Sequence, residues 1–130
     1  MGKVMRLAIA GLVAVNVLAL APHAMAGGDD RIARRGRCTG ASVWKLKVQP
    51  EDGNRLEVEF EVDVNRNGHK WKVVLRDNGL LVASGFRFTR APSGSFEFRK
   101  LIPNRAGTDT IRAVGRSLRT GEVCRGTVSI

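Results

Sequence analysis

At 130 residues and 14.1 kDa, the chain has room for one domain, which excludes a multidomain machine or a large α/β enzyme. Its 22 Lys+Arg against 12 Asp+Glu give a formal net charge of +10, which excludes an acidic, calcium-buffering surface. The 43% hydrophobic content is concentrated at the N-terminus, so the rest of the chain is leaner than that figure suggests.

Lys3 and Arg6 open the chain, an apolar stretch runs from Leu7 to Ala21, and Ala24-Met25-Ala26 supplies small residues at the right spacing. A basic start, an apolar run too short to span a bilayer and an A-x-A site define residues 1–26 as a signal peptide, with cleavage expected after Ala26. The expected product is secreted and extracellular, with no stable membrane span. Loss of Lys3 and Arg6 lowers its formal charge from +10 to +8. Residues 27–37, GGDDRIARRGR, are glycine-rich and charged, and they predict a flexible basic arm. Residues 38–130 are expected to form the single folded domain.

Cys38 and Cys124 are the only cysteines. In an exported chain they allow one intramolecular disulfide, whose long loop is worth roughly 4–5 kcal/mol in the loop-entropy view. A zinc or redox site is the poorer reading: there is no C-x-x-C, and His69 is the one histidine beyond the signal peptide.

From Trp44 onward the pattern has period 2. Trp44, Leu46 and Val48 alternate with polar residues, and Pro50 to Asn54 turns the chain. Leu56, Val58, Phe60 and Val62 alternate with Glu57, Glu59, Glu61 and Asp63, the cleanest half-buried strand. After Asn65-Arg66-Asn67-Gly68 come Trp71, Val73 and Leu75, and Asp77-Asn78-Gly79 is a strong hairpin signal. Leu80, Val82, Phe86 and Phe88 are read as the inner face of a fourth strand, with Gly85 as the place for a bulge. Phe96, Phe98 and Leu101 give a fifth, whose change of parity suggests another bulge. Pro103 to Thr108 is a corner, Ile111 and Ala113 begin a sixth strand, and Val123 to Ile130 is the last. Seven short strands without a helical period predict an all-β, antiparallel β-sandwich.

Two segments carry a family likeness. Trp71 lies on the third strand, and Gly107-Thr108-Asp109-Thr110-Ile111-Arg112-Ala113 precedes and opens the sixth. On these residues the chain resembles an immunoglobulin-like or fibronectin type III-like sandwich. It is also similar to small exported actinobacterial proteins of uncharacterised activity, which implies nothing about chemistry. It departs from antibody-type domains in carrying Asp109 where they have tyrosine and Ile111 where they have cysteine. The resemblance implies that the first, second and fifth predicted strands share one sheet and the third, fourth, sixth and seventh the other.

With that pairing, the first sheet sets Lys45 and Lys47 beside Glu57, Glu59 and Glu61, with Glu97 and Arg99 beyond, a nearly neutral face. The second presents Lys70, Lys72, Arg76, Arg87, Arg112, Arg116 and Arg125, and these are the candidate binding residues. The expected partner is an acidic polymer or acidic protein, met by arginines as bidentate donors and lysines as point charges. Nucleic acid is the weaker expectation, because stacking needs exposed aromatics and these aromatics are read as core-facing.

Catalytic motifs fail one by one. Asp63-Val64-Asn65-Arg66-Asn67-Gly68 opens like a calcium loop, but the twelfth position is Val74 where a bidentate glutamate is required, so a simple hairpin turn is the better reading. His69 has no nucleophile motif to serve, and there is no G-x-S-x-G or phosphate loop. The expectation is a monomeric, non-enzymatic binding module with no cofactor and no metal. The alternative is an inhibitor of an extracellular hydrolase that presents Arg90-Ala91-Pro92-Ser93 or Pro103-Asn104-Arg105-Ala106-Gly107 as its loop.

Overall fold

The computed structural model describes residues 30–130; the expected signal peptide and residues 27–29 lie outside them. Eight strands form in chain order: β1 Ile32–Arg37, β2 Val43–Glu51, β3 Arg55–Asp63, β4 Lys70–Asp77, β5 Leu80–Phe88, β6 Ser95–Pro103, β7 Thr110–Ser117 and β8 Val123–Ser129. They make two four-stranded antiparallel sheets, ordered β1-β2-β3-β6 and β5-β4-β7-β8. One apolar core lies between them, a sandwich-like arrangement. The strands number eight and not the expected seven, because residues 32–37 add one at an edge; the other seven divide between the sheets as the resemblance implied.

The alternation of β3 shows why these residues form strands. Leu56, Val58, Phe60 and Val62 are fully or almost fully buried, and the acids between them face outward. β-branched and aromatic residues fit such a pleated, half-buried surface. Trp71, Val73 and Leu75 on β4 and Ile111 and Ala113 on β7 face them from the other sheet. At Asp77-Asn78-Gly79 both Asn78 (φ 49°) and Gly79 (φ 83°) are left-handed, the geometry that a tight twisted hairpin requires.

Four expectations need correction. The first is the arm: residues 32–37 are not a loose tail but the edge strand β1, paired along its length with β2. Composition hid this, because the strand has almost no apolar alternation of its own. What it offers β2 is backbone hydrogen bonding and a gap at Gly36. A Cβ added at Gly36, or at Gly126 on β8, would come within 2.6 Å of the Trp44 ring, so the two glycines make the slot that the indole fills.

The second is β5. Its register against β4 shifts between Leu75 and Arg76, where Val82 is the extra residue. The bulge is therefore at Val82 and not at Gly85. Both Val82 and Ala83 turn partly toward the core, and the parity of everything after them inverts. Ala83, Gly85 and Arg87 face inward; Phe86 and Phe88 face solvent at 49% and 50% exposure. The inner space beside Gly85 is already taken, since an added Cβ there would stand 3.0 Å from the Phe98 ring.

The third is β6, whose pairing with β3 runs without a break. Ile102 takes the core position, Leu101 is 50% exposed, and Lys100 points inward with Nζ 5.2 Å from the Phe98 ring centre. Arg87 lies on the opposite edge strand with its guanidinium 4.6 Å from the same ring. Inward charges on the two edge strands discourage further strand addition on this side.

The fourth is the Asn65–Gly68 turn, which is an arch between the sheets and not a hairpin. Thr89 pins it: its hydroxyl donates to the Arg66 carbonyl and accepts from the His69 N–H at 2.9 Å. Asp63 Oδ1 accepts from the Asn65 N–H at 3.1 Å, so that carboxylate closes its own turn.

On the far side, Cys38 and Cys124 are joined across 86 residues, with the Thr39 N–H bonded to the Val123 carbonyl beside them. The bridge ties the start of β2's sheet to β8. Structural disulfides form and persist in oxidising compartments and are rare in the cytosol. Among the described residues, no helix is long and apolar enough to cross a membrane.

Candidate functional site: the outer face of the β5-β4-β7-β8 sheet

Register assembles the site. Directly paired residues share a face, so β4 sets Lys72 beside Phe86 on one side and Arg116 on the other. The next outward row is Ser84, Val74, Val114 and Arg125. The third is Leu81, Arg76, Arg112 and Thr127. Lys70 ends the β4 column, paired with Phe88. Six of the seven expected cations, Lys70, Lys72, Arg76, Arg112, Arg116 and Arg125, thus stand together and exposed. No outward position of these four strands is Asp or Glu.

Two of the pairings set like charges directly opposite each other, Lys72 against Arg116 and Arg76 against Arg112. Side chains in such positions have Cβ atoms about 5 Å apart, and like charges there destabilise the sheet. An anion laid over the face would relieve that repulsion. The short side chains Val74 and Val114 leave a shallow depression of about 300 Å³ between Arg76, Arg112 and Arg125.

Arg87, the seventh expected cation, is not on this face. The inverted parity of β5 turns it inward, where its Nε donates to the Glu97 carbonyl at 3.2 Å and its Nη1 to the Phe86 carbonyl at 2.8 Å. It stands in a cleft of about 640 Å³ at the open edge between β5 and β6, shared with Glu61, Glu97 and Arg90 and bordered by Phe86 and Phe88.

The same inversion brings out residues that the sequence reading missed. Phe86 and Phe88 stand on the basic face, and Lys70 Nζ is 4.7 Å from one ring centre and 5.7 Å from the other. Such ring faces attract a cation. Leu118, 52% exposed, follows β7 beside Lys70, whose carbonyl accepts the Leu118 N–H at 2.9 Å. A usable signal was present: Ala83 and Gly85 are the small residues of β5, and they alternate against Phe86 and Phe88.

The outer face of the other sheet mixes both signs and carries ion pairs. Lys47 Nζ is 2.8 Å from Glu59, and Arg99 reaches Glu97 at 3.1 Å, Glu59 at 3.5 Å and Glu57 at 4.0 Å. Carboxylate oxygens of Glu59, Glu61 and Glu97 lie within 4.8 Å of one another. Burial, then the hydrogen bond and charge of Glu59, push the Glu97 carboxyl above its ordinary range. Burial works against Glu59 too, but Lys47, the hydrogen bond shared with Glu97 and the Arg99 charge outweigh it and hold Glu59 below the ordinary range.

One acidic pair is internal. Asp77, wholly buried at the end of β4, faces the buried Asp109 just before β7, and neither Asp77 oxygen has a hydrogen-bond donor. Burial first, then the Asp109 carboxyl, push Asp77 up to about 6, against the pull of Arg105 Nε at 3.8 Å. The Pro103–Gly107 loop that carries Arg105 is tied down further, with the Asn104 N–H bonded to the Asn54 carbonyl at 2.9 Å.

No protein-family model, curated protein or solved structure matches this chain.

Proposed function

We propose that this protein is a secreted, monomeric, non-enzymatic binding module that holds an anionic extracellular or cell-wall partner on the outer face of the β5-β4-β7-β8 sheet. One observation carries the proposal. Six exposed cations share a face without an acid, two pairs of them directly opposed, while the cations Lys47 and Arg99 on the other sheet are paired. Sheets normally intersperse the two signs. A face that keeps its repulsion is suited to a ligand that removes it. Secretion is supported by the signal-peptide pattern of residues 1–26 and by the disulfide. The division of strands between the sheets supports an immunoglobulin-like reading of the fold.

Retention on immobilised heparin across a salt gradient tests the proposal, with K72E/R112E run beside the wild type. The expected result is wild-type elution above physiological salt and passage of the variant without retention. Elution of the wild type at low salt, or retention of the variant like the wild type, overturns it.

A further inference from the structure

Resting on that reading, we infer that the partner is a single-stranded nucleic acid, its phosphates held by the basic rows and its bases stacked on Phe86 and Phe88. The expectation against nucleic acid depended on core-facing aromatics, and the bulge at Val82 removes that ground. Two half-exposed rings now stand at alternate positions of one strand, about 6.8 Å apart by strand geometry. They stand beside the cations on the outer face of a four-stranded sheet, and surface aromatics on such a sheet can stack two or three unpaired bases. Every base has a flat face, so such stacking tolerates any sequence, while a positively charged groove follows the backbone.

The division of labour fits a linear polymer. The rings lie along the edge strand β5, and the depression walled by Arg76, Arg112 and Arg125 spans the next three strands, β4, β7 and β8. A strand of nucleotides crossing the sheet from β5 toward β8 meets both at once. Lys70 lies over the rings, and its long flexible side chain can exchange them for a phosphate when a base arrives. A lipid surface is the competing occupant for any basic face with aromatics. Cations outnumber the rings six to two on this face, which favours a polyanion over insertion into a lipid surface. Duplex DNA is disfavoured as well, since its bases are already stacked and paired.

The test titrates the folded protein with short oligodeoxythymidine, oligouridine, a blunt DNA duplex of the same length, inorganic polyphosphate and phosphatidylserine vesicles. Polyphosphate has the charge without the rings. The expected order is single strands over polyphosphate and over duplex; the deoxy and ribo arms identify which strand is preferred. F86A/F88A, both at exposed positions, should weaken single-strand binding roughly 5- to 100-fold per ring and leave polyphosphate unchanged. K72E/R112E should lose both. Equal affinity for polyphosphate and single strands, unaltered in F86A/F88A, overturns the nucleic-acid inference while leaving the anion-binding face intact. Vesicle binding lost in F86A/F88A, without oligonucleotide binding, also overturns it in favour of a membrane. Binding to none of the probes rejects the face itself.

Discussion

The two outer faces of this molecule solve the same electrostatic problem in opposite ways. On β1-β2-β3-β6 the two signs are interspersed: Arg35 stands opposite Lys45 and Glu61 opposite Glu97, but Lys47 and Arg99 settle onto Glu57, Glu59 and Glu97 and compensate most of the charge. On β5-β4-β7-β8 the columns of cations stand next to one another, with Lys72 opposite Arg116 and Arg76 opposite Arg112. The strands are similar in length and share one core, so backbone geometry does not make this difference. What differs is whether the face satisfies itself. A self-satisfied face is a finished surface, whereas one that repels itself stores a preference for something outside. The net charge of the chain is thus concentrated where it is least compensated.

The contrast can be broken most severely at the joint between the sheets. C38S/C124S should lose about 2–5 kcal/mol of folding stability, measured by urea denaturation, because the clasp beside β8 closes a very long loop. A loss well under that range would mean that the packing of Trp44 between Gly36 and Gly126 suffices to hold the sheets. Gly126→Ala probes that packing directly, and the forced shift of the indole should cost about 1–3 kcal/mol in the same measurement.

Charge reversal tests the faces themselves. K72E/R112E should weaken binding to heparin at low salt by about 100-fold, since each lost phosphate-type contact also removes a counterion-release gain. Lys47→Glu on the neutral face should change it by less than about 2-fold, since the Lys47 charge is already taken by Glu59 at 2.8 Å. Similar losses from both variants would show that only bulk charge matters and would erase the distinction between the faces.

A smaller effect comes from the interior. The Asp77 carboxyl is pushed up to about 6 in the folded protein, against 3.8 for a free side chain. Between those values the folded protein keeps a proton that the unfolded chain has released. Stability from this group is therefore full below about pH 3.8 and is lost as pH rises through about 6. Asp77→Asn should flatten that slope and raise stability above pH 6 by about 1–3 kcal/mol, because it removes the charge that burial and Asp109 oppose. Urea midpoints measured from pH 4 to pH 8 check the sign; an equal effect at both ends would reject the titration. Smallest of all, Lys47→Gln should cost at most about 1 kcal/mol, whereas Lys72→Gln should leave stability unchanged or raise it by a few tenths, seen in thermal midpoints.

Much of this was legible in the sequence because period-2 patterning is a local property. β3 announces both its faces, the turns at Pro50–Asn54 and Asp77–Gly79 announce themselves, and two cysteines in a chain with an export-like start have one obvious partner. The grouping of six cations also followed once strands were assigned to sheets, since residues at alternate positions share a face. β1 was invisible because an edge strand can form from backbone hydrogen bonds and a glycine gap without an apolar stripe. The Asp77–Asp109 encounter joins the ends of two strands far apart in sequence, and no local pattern records it.

Only the tertiary structure decided the most consequential detail, the parity of β5. The sequence offers Leu80, Val82, Phe86 and Phe88 on one alternation, and hydrophobicity alone sends them inward. Phe98 from the opposite sheet already occupies that space, so the strand bulges at Val82, turns Ala83 and Gly85 to the core and puts Phe86 and Phe88 outside. Composition determined that this would be a basic domain of short strands, and alternation determined which cations would lie together. Packing against a distant strand decided which aromatics would join them, because volume in a shared core is settled between sheets and not along the chain.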